Sequence, residues 1–204
     1  MALERSTTAD YEVHEHWHVD TKDNEDHTFS GIIFSVVIKE RLPVDFVEIE
    51  TLSVRGSLGP LTVWASAGHW SQETPNGQPK YSSREAWTCI YRKFHPPSRR
   101  RFAKLELARR LRLKPGTETS IYVHSALDND QAIVYDNQRS MGGVSSEDDL
   151  VVVKSGCVHG TVSGRLRRPM LTSIRLFLSW CLLAPLSQLG APLQRSLRER
   201  APLG

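Results

Sequence analysis

Hydrophobic and polar residues alternate along residues 104–113. The residues of one parity are leucines, with Arg109 as the one break in the series: Leu105, Leu107, Leu111 and Leu113. The residues of the opposite parity are mostly charged. Because successive side chains of a strand point to opposite sides of a sheet, this period of two predicts a strand with one buried face. Pro115 and Gly116 then supply a turn before a second β-rich run, residues 121–125.

Other segments show the same strand character. Residues 31–38, with the sequence GIIFSVVI, form a continuous run of β-branched and aromatic residues, which is typical of a strand covered on both faces. In residues 44–55 the hydrophobic positions change parity near Thr51, which predicts a β-bulge or a break between two strands. Residues 61–66 predict a further strand.

The whole chain contains about nine or ten such short segments separated by turn formers, and almost no helical periodicity before Gly164. This pattern predicts an all-β protein, an antiparallel β-sandwich with a jelly-roll-like arrangement. We expect three parts: a polar N-terminal arm (1–27), the β-sandwich domain (28–164), and a basic, Leu/Pro-rich tail (165–204) that is helical or irregular. The absence of βαβ alternation argues against a nucleotide-binding α/β fold.

Composition and charge narrow the function classes. Of the 204 residues, 39% are hydrophobic and 24% charged, which is ordinary for a globular protein. Three scattered cysteines do not form a disulfide framework, and the polar N-terminus lacks an apolar signal region, so we expect a cytoplasmic protein. The net charge is +3, but residues 165–204 alone carry +6, which leaves −3 for residues 1–164. A nucleic-acid partner of the folded domain is therefore not expected.

Several segments together resemble a known kind of domain: GIIFSVV, LTVWAS, LKPGTETSIYVHS, AIVYDN and EDDLVVVKSG. This combination resembles an uncharacterised β-sandwich domain found in large families of algal and other protist proteins, and more distantly the sandwich of PHR-type interaction domains. The resemblance covers about residues 28–164 and implies an interaction or ligand-binding module without catalytic residues. It also implies an Arg- and aromatic-rich segment after the last strand, and this chain has a Leu/Pro-rich tail there instead.

Two loops are the candidate recognition elements, residues 67–85 and 137–148. A loop as long as 67–85 is often a binding or partly mobile loop. Within it, Trp70 and Tyr81 are the candidate exposed anchors. A basic turn with Arg99, Arg100 and Arg101 is a candidate contact for phosphate or an acidic partner.

The sequence His14-Glu15-His16-Trp17-His18 is the candidate metal site. On an extended chain, the three imidazoles project from one face, within reach of one divalent transition metal such as zinc. A cupin-like site would require a carboxylate and another histidine from a later strand. The alternative is a polar arm whose histidines are solvated.

The tail contains nineteen uncharged residues between Arg175 and Arg195, close to the length of a membrane span. Proline, glycine and glutamine dilute its second half. We expect an apolar tail that docks on the domain or on a partner. The alternatives are an interfacial membrane helix and a C-terminal membrane anchor, so residues 169–194 are the candidate membrane contact.

The function that the sequence favours is a non-catalytic binding or interaction module, in which the loops of a β-sandwich meet a protein or a small ligand. Two alternatives stay open. One is a metal-dependent, cupin-like enzyme that uses the N-terminal histidines, and the other is a membrane-associated protein held by its tail. No motif for nucleotide binding or nucleophilic catalysis identifies a reaction.

Overall fold

The computed structural model describes residues 15–40, 44–127, 130–137, 142–159, 166–172 and 175–181. Within them the chain forms thirteen β-strands and two short 3-10 helices, Lys80–Ser82 and Arg84–Ala86. The strands are β1 (Glu15–Asp20), β2 (His27–Phe29), β3 (Gly31–Ile38), β4 (Phe46–Gly56), β5 (Gly59–Ala67), β6 (Thr88–His95), β7 (Ser98–Leu113), β8 (Glu118–Ser125), β9 (Ile133–Asn137), β10 (Val144–Glu147), β11 (Val151–His159), β12 (Leu166–Thr172) and β13 (Arg175–Cys181). The predicted all-β fold is confirmed.

The strands form two sheets. The four-stranded sheet has the order β1-β13-β4-β7. The nine-stranded sheet has the order β2-β9-β12-β11-β3-β8-β5-β6, with β10 paired to β11. Every strand pair in the described residues is antiparallel. The inner faces of both sheets contribute to one hydrophobic core, which makes the fold a β-sandwich.

The predicted faces of β7 and β3 are both confirmed. Leu105, Leu107 and Leu113 of β7 are buried in the core, while the charged residues between them are exposed. Alternate residues of β3 point to opposite faces of the nine-stranded sheet. Phe34 belongs to the main core, and Ile33 packs in a second cluster on the outer face of that sheet. Because both faces are covered, the run of hydrophobic residues in β3 is continuous.

The predicted irregularity near Thr51 is a β-bulge. Ile49 of β4 is paired with Leu178 of β13, and Thr51 is paired with Phe177, so that Glu50 is the extra residue. The bulge reverses the side-chain parity along β4. It lets Ile49 and Leu52 both reach the core.

The sandwich extends beyond the predicted limits of 28–164. β1 lies within the N-terminal segment predicted as an arm, and β12 and β13 lie within the predicted tail. Leu176 and Leu178 are fully buried in the core. The apolar residues in this part of 169–194, the candidate membrane contact, therefore pack inside the sandwich. No helix in the described residues is long and apolar enough to cross a membrane. The rest of the predicted tail, from residue 182 onward, lies outside the described residues.

Candidate functional site

A groove opens between the two sheets at the side where β6 and β7 lie at the sheet edges. It encloses about 730 Å³ and is called the intersheet groove below. Strands β5, β6 and β8 contribute one wall, together with Ala86, and strands β4 and β7 contribute the other. The lining residues are Glu48, Ala65, Ser66, Ala67, Ala86, Thr88, Cys89, Ile90, Arg109, Arg110, Leu111, Arg112, Leu113 and Thr119.

An irregularity in β7 shapes one side of the groove. Ile49 of β4 is paired with Leu111, and Thr51 is paired with Glu106, so residues 107–110 of β7 lie opposite Glu50 alone. Residues 107–110 are called the β7 bulge below. A bulge bends its strand and redirects the side chains next to it. The β7 bulge contains Arg109, which is the one break in the leucine alternation.

The inner part of the groove is lined by small and apolar side chains. Ala65 and Thr119 of the nine-stranded sheet and Leu113 of the four-stranded sheet are all buried. Ala67 and Cys89 line the groove but are exposed, so they mark its opening. Because alanine fills little volume, the space between the sheets at this end is not closed by side chains.

Charged groups at the groove are held in a fixed arrangement by Glu48. Arg112 donates two hydrogen bonds to Oε1 of Glu48, from Nη2 at 2.8 Å and from Nε at 3.1 Å. Arg110 donates from Nη1 to Oε2 of Glu48 at 3.3 Å, and the same Nη1 lies 3.3 Å from Oε1 of Glu50. The guanidinium carbon of Arg112 also lies 3.8 Å from the centre of the Phe46 ring. Two arginines are therefore already neutralised by carboxylates.

The ionisation of Glu48 reflects this arrangement. Burial raises the pKa of the Glu48 carboxyl, but hydrogen bonds from Arg112 and Arg110 and their positive charges outweigh it. The pKa of Glu48 in the folded protein therefore lies below its ordinary value of 4.5. The carboxylate is ionised at neutral pH.

Arg109 differs from its two neighbours. It lines the groove and its side chain is exposed. Within the part of the chain that the structure describes, its guanidinium has no hydrogen-bond or ion-pair partner. The groove lining thus contains three arginines and one glutamate, and Glu50 beside the lining pairs with Arg110, so the net charge is +1 and one arginine is available to a ligand.

The prediction that Trp70 is an exposed anchor is wrong. Trp70 is only 3% exposed and packs with Ile33 and Cys157 on the outer face of the nine-stranded sheet. Tyr81 is partly buried against the same cluster, with its ring 6.2 Å from the Trp70 ring. The loop 67–85 therefore folds over the sheet and covers apolar side chains there. Burial of the large indole ring of Trp70 favours this arrangement.

Polar contacts hold this loop in place. The Ser71 hydroxyl lies 2.7 Å from Nδ1 of His69, and Nε2 of His69 lies 4.0 Å from Oε1 of Glu118. Glu118 also accepts a hydrogen bond from Lys154 at 3.1 Å. Burial lowers the pKa of His69, against the attraction of Glu118, so the imidazole is neutral at pH 7. The Gly68 amide also donates a hydrogen bond to the Glu118 carbonyl oxygen at 2.7 Å, which connects the start of the loop to β8.

The three arginines predicted in a basic turn belong to β7. The turn between β6 and β7 is confined to Pro96 and Pro97, because Ser98 already pairs with Gly56 of β4. Arg99 donates from Nη2 to the Ser57 hydroxyl at 2.9 Å and to the Gln131 side chain at 3.1 Å. Arg100 and Arg101 are exposed. None of the three lines the intersheet groove.

The candidate metal site is described only in part. His16 and His18 share one face of β1 and are 65% and 59% exposed, as the two-residue period predicts. Nδ1 of His16 lies 3.4 Å from Oε1 of Glu50, and Nε2 of His18 lies 4.0 Å from Oδ2 of Asp20. His14 lies outside the described residues. Among those that are described, no three His, Cys, Asp or Glu side chains are grouped to hold a metal ion, so the three-histidine site stays a prediction.

The two cysteines whose side chains are described have opposite environments. Cys157 is 1% exposed, and burial raises the pKa of its thiol to about 12. Cys89 is exposed at the opening of the groove. A buried thiol with a raised pKa is not a nucleophile at neutral pH, so Cys157 serves as an apolar core residue.

Comparisons with known proteins add no family assignment. No protein-family model matches the chain, and no curated protein sequence matches it. The resemblance to the protist β-sandwich domain stays a prediction.

Proposed function

We propose that the protein is a non-catalytic binding module that takes a small molecule with an apolar part into the intersheet groove. The observation that supports this most directly is the groove itself, about 730 Å³ lined by apolar and small side chains inside and by arginines at the opening. Small-molecule sites in proteins are concave, mostly apolar and about 300–1,000 Å³ in volume. The groove is concave and its volume lies in that range, and it presents apolar side chains such as Ile90 and Leu113 beside the polar residues of its lining.

The groove supports this function better than the loop 67–85 does. Trp70 of that loop is buried, and the loop covers the outer face of the nine-stranded sheet. Its aromatic side chains therefore stabilise the fold. The second predicted recognition loop, 137–148, falls partly outside the described residues. The binding role expected from the sequence is retained, but we assign it to the space between the sheets.

An apolar ligand would gain affinity mainly by leaving water. Ile90 and the inner leucines of β7 offer apolar surface, and each buried methylene contributes about 0.8 kcal/mol. Part of this gain is offset by the loss of ligand freedom on binding. An aliphatic chain of moderate length is therefore a suitable first probe.

The test fills the groove and measures binding. Ala67→Trp places a large side chain at an exposed position of the lining, so the fold should tolerate it. Ala126→Trp is the matched control, an exposed alanine outside the groove. We expect calorimetry with dodecanol and dodecanoate to show binding to the wild type and to Ala126→Trp, with at least about tenfold weaker binding to Ala67→Trp. Equal affinity of all three proteins, or no binding to any, would contradict the proposal.

A further inference from the structure

We propose that Arg109 recognises an acidic headgroup, so that the ligand of the intersheet groove is an amphipathic anion with a carboxylate or phosphate at one end. This inference rests on the proposed function, because it names the chemical class of the molecule that enters the groove. The three arginines in the lining differ in their contacts with the protein.

Arg110 and Arg112 are committed to carboxylates of the protein itself. Arg112 makes two hydrogen bonds to Glu48, at 2.8 and 3.1 Å, and stacks on Phe46. Arg110 lies between Glu48 and Glu50. A ligand anion would have to replace these contacts to bind either arginine.

Arg109 carries a charge that no described group neutralises. It projects from the β7 bulge into the lining of the groove, is exposed, and has no described partner. A guanidinium presents paired N–H donors that match a carboxylate or a phosphate. An acidic headgroup can therefore bind Arg109 without breaking any contact that the structure shows.

The positions of the polar and apolar residues give the ligand a direction. Arg109 is exposed, while Leu113, Ala65 and Thr119 are buried deeper in the groove. A headgroup on Arg109 thus stays partly in water, and an attached alkyl chain runs between the sheets. Three arginines against Glu48 and Glu50 leave a net charge of +1, which favours the approach of an anion, and added salt weakens that attraction.

Calorimetry tests this with three probes of equal chain length: dodecanoate and dodecyl phosphate, each below its micelle concentration, and dodecanol below its solubility limit. The proteins are the full wild-type chain, Arg109→Ala and Arg92→Ala. Arg92 is the matched control because it is an exposed arginine of β6, a strand that contributes to the groove wall, and does not itself line the groove. Circular dichroism confirms that each variant is folded.

We expect Arg109→Ala to weaken binding of an anionic probe about tenfold or more and to leave dodecanol unchanged. Arg92→Ala should leave all three affinities unchanged. A preference for dodecanoate or for dodecyl phosphate identifies the headgroup. If dodecanol binds the wild type as tightly as both anions, or if Arg109→Ala and Arg92→Ala have equal effects, the headgroup assignment is overturned while the groove proposal stands. If no probe binds the wild type, both are overturned.

Discussion

Glu48 and Arg112 are direct partners on the paired strands β4 and β7, and Nη2 of Arg112 lies 2.8 Å from Oε1 of Glu48. The register between β4 and β7 therefore places this carboxylate and this guanidinium side by side at the intersheet groove. Since Glu48 also accepts a hydrogen bond from Arg110, one carboxylate orients two of the three arginines in the lining.

The first prediction concerns Glu48→Gln. The pKa of Glu48 is lowered on folding, so its ionised form stabilises the native state above the unfolded-state value of 4.5. This contribution is lost as the pH falls through the folded-state pKa. Glu48→Gln should lower the free energy of unfolding at pH 7 by about 1–3 kcal/mol and reduce its decline between about pH 5 and pH 3.

Urea denaturation across this pH range provides the measurement. Glu106→Gln is the control, because Glu106 is 73% exposed and lies in β7, the strand paired with β4, with a carboxylate oxygen 3.5 Å from Nζ of Lys104. If the free energy of unfolding of Glu48→Gln declined with falling pH as steeply as that of the wild type, the Glu48–Arg112 pair would contribute nothing to stability in this pH range.

The second prediction concerns the loop over the outer face. Trp70→Ala should reduce the free energy of unfolding by about 3 kcal/mol, because a buried indole is removed from the cluster with Ile33 and Cys157. It should also make the loop more sensitive to trypsin at Lys80 and Arg84. Denaturation and limited proteolysis measure these effects. Glu73→Ala, an exposed change in the same loop, should behave as wild type, and equal stability of both variants would show that Trp70 does not fix the loop.

The third prediction compares the two faces of β7. Leu105 is fully buried and paired with Leu52, so Leu105→Ala should cost about 2–5 kcal/mol. Lys104→Ala on the exposed face should change the free energy of unfolding by less than about 0.5 kcal/mol. Chemical denaturation of both variants is sufficient, and similar losses would contradict the assignment of the faces.

The fourth prediction uses the cysteines as probes of the groove. Cys89 is exposed at the groove opening and should react with a thiol reagent in the native protein. Cys157 should react only on unfolding, since burial raises the pKa of its thiol to about 12. Dodecanoate in the groove should slow the labelling of Cys89 several-fold. Mass spectrometry of the labelled peptides assigns the rates, and labelling of Cys89 that is indifferent to a bound ligand would place the ligand elsewhere.

The sequence predicted what depends on local periodicity. The leucines of β7 predicted its buried face, and the continuous hydrophobic run in β3 predicted a strand that is buried on both faces. The parity change near Thr51 predicted the bulge at Glu50. Each of these is determined by the alternation of side chains along one strand. The fold class follows from them.

Features that depend on distant segments were missed. The composition of β12, with two arginines and a proline, does not resemble a strand, and β13 reads equally well as an apolar tail. Trp70 has polar neighbours in sequence, and only the packed structure shows the cluster beneath it. The groove joins Ala65 of one sheet to Leu113 of the other, which no local pattern encodes. The one sequence signal that pointed to the groove was Arg109, the residue that interrupts the leucine series.

The β7 bulge has a further consequence for how copies of the protein meet. β7 is a long edge strand of the four-stranded sheet as described, and a long regular edge offers free N–H and C=O groups to a strand of another molecule. The bulge breaks the even spacing of those groups in the second half of the strand, and exposed charges such as Lys104 and Glu106 lie beside it. The same irregularity that shapes the groove therefore discourages edge-to-edge aggregation.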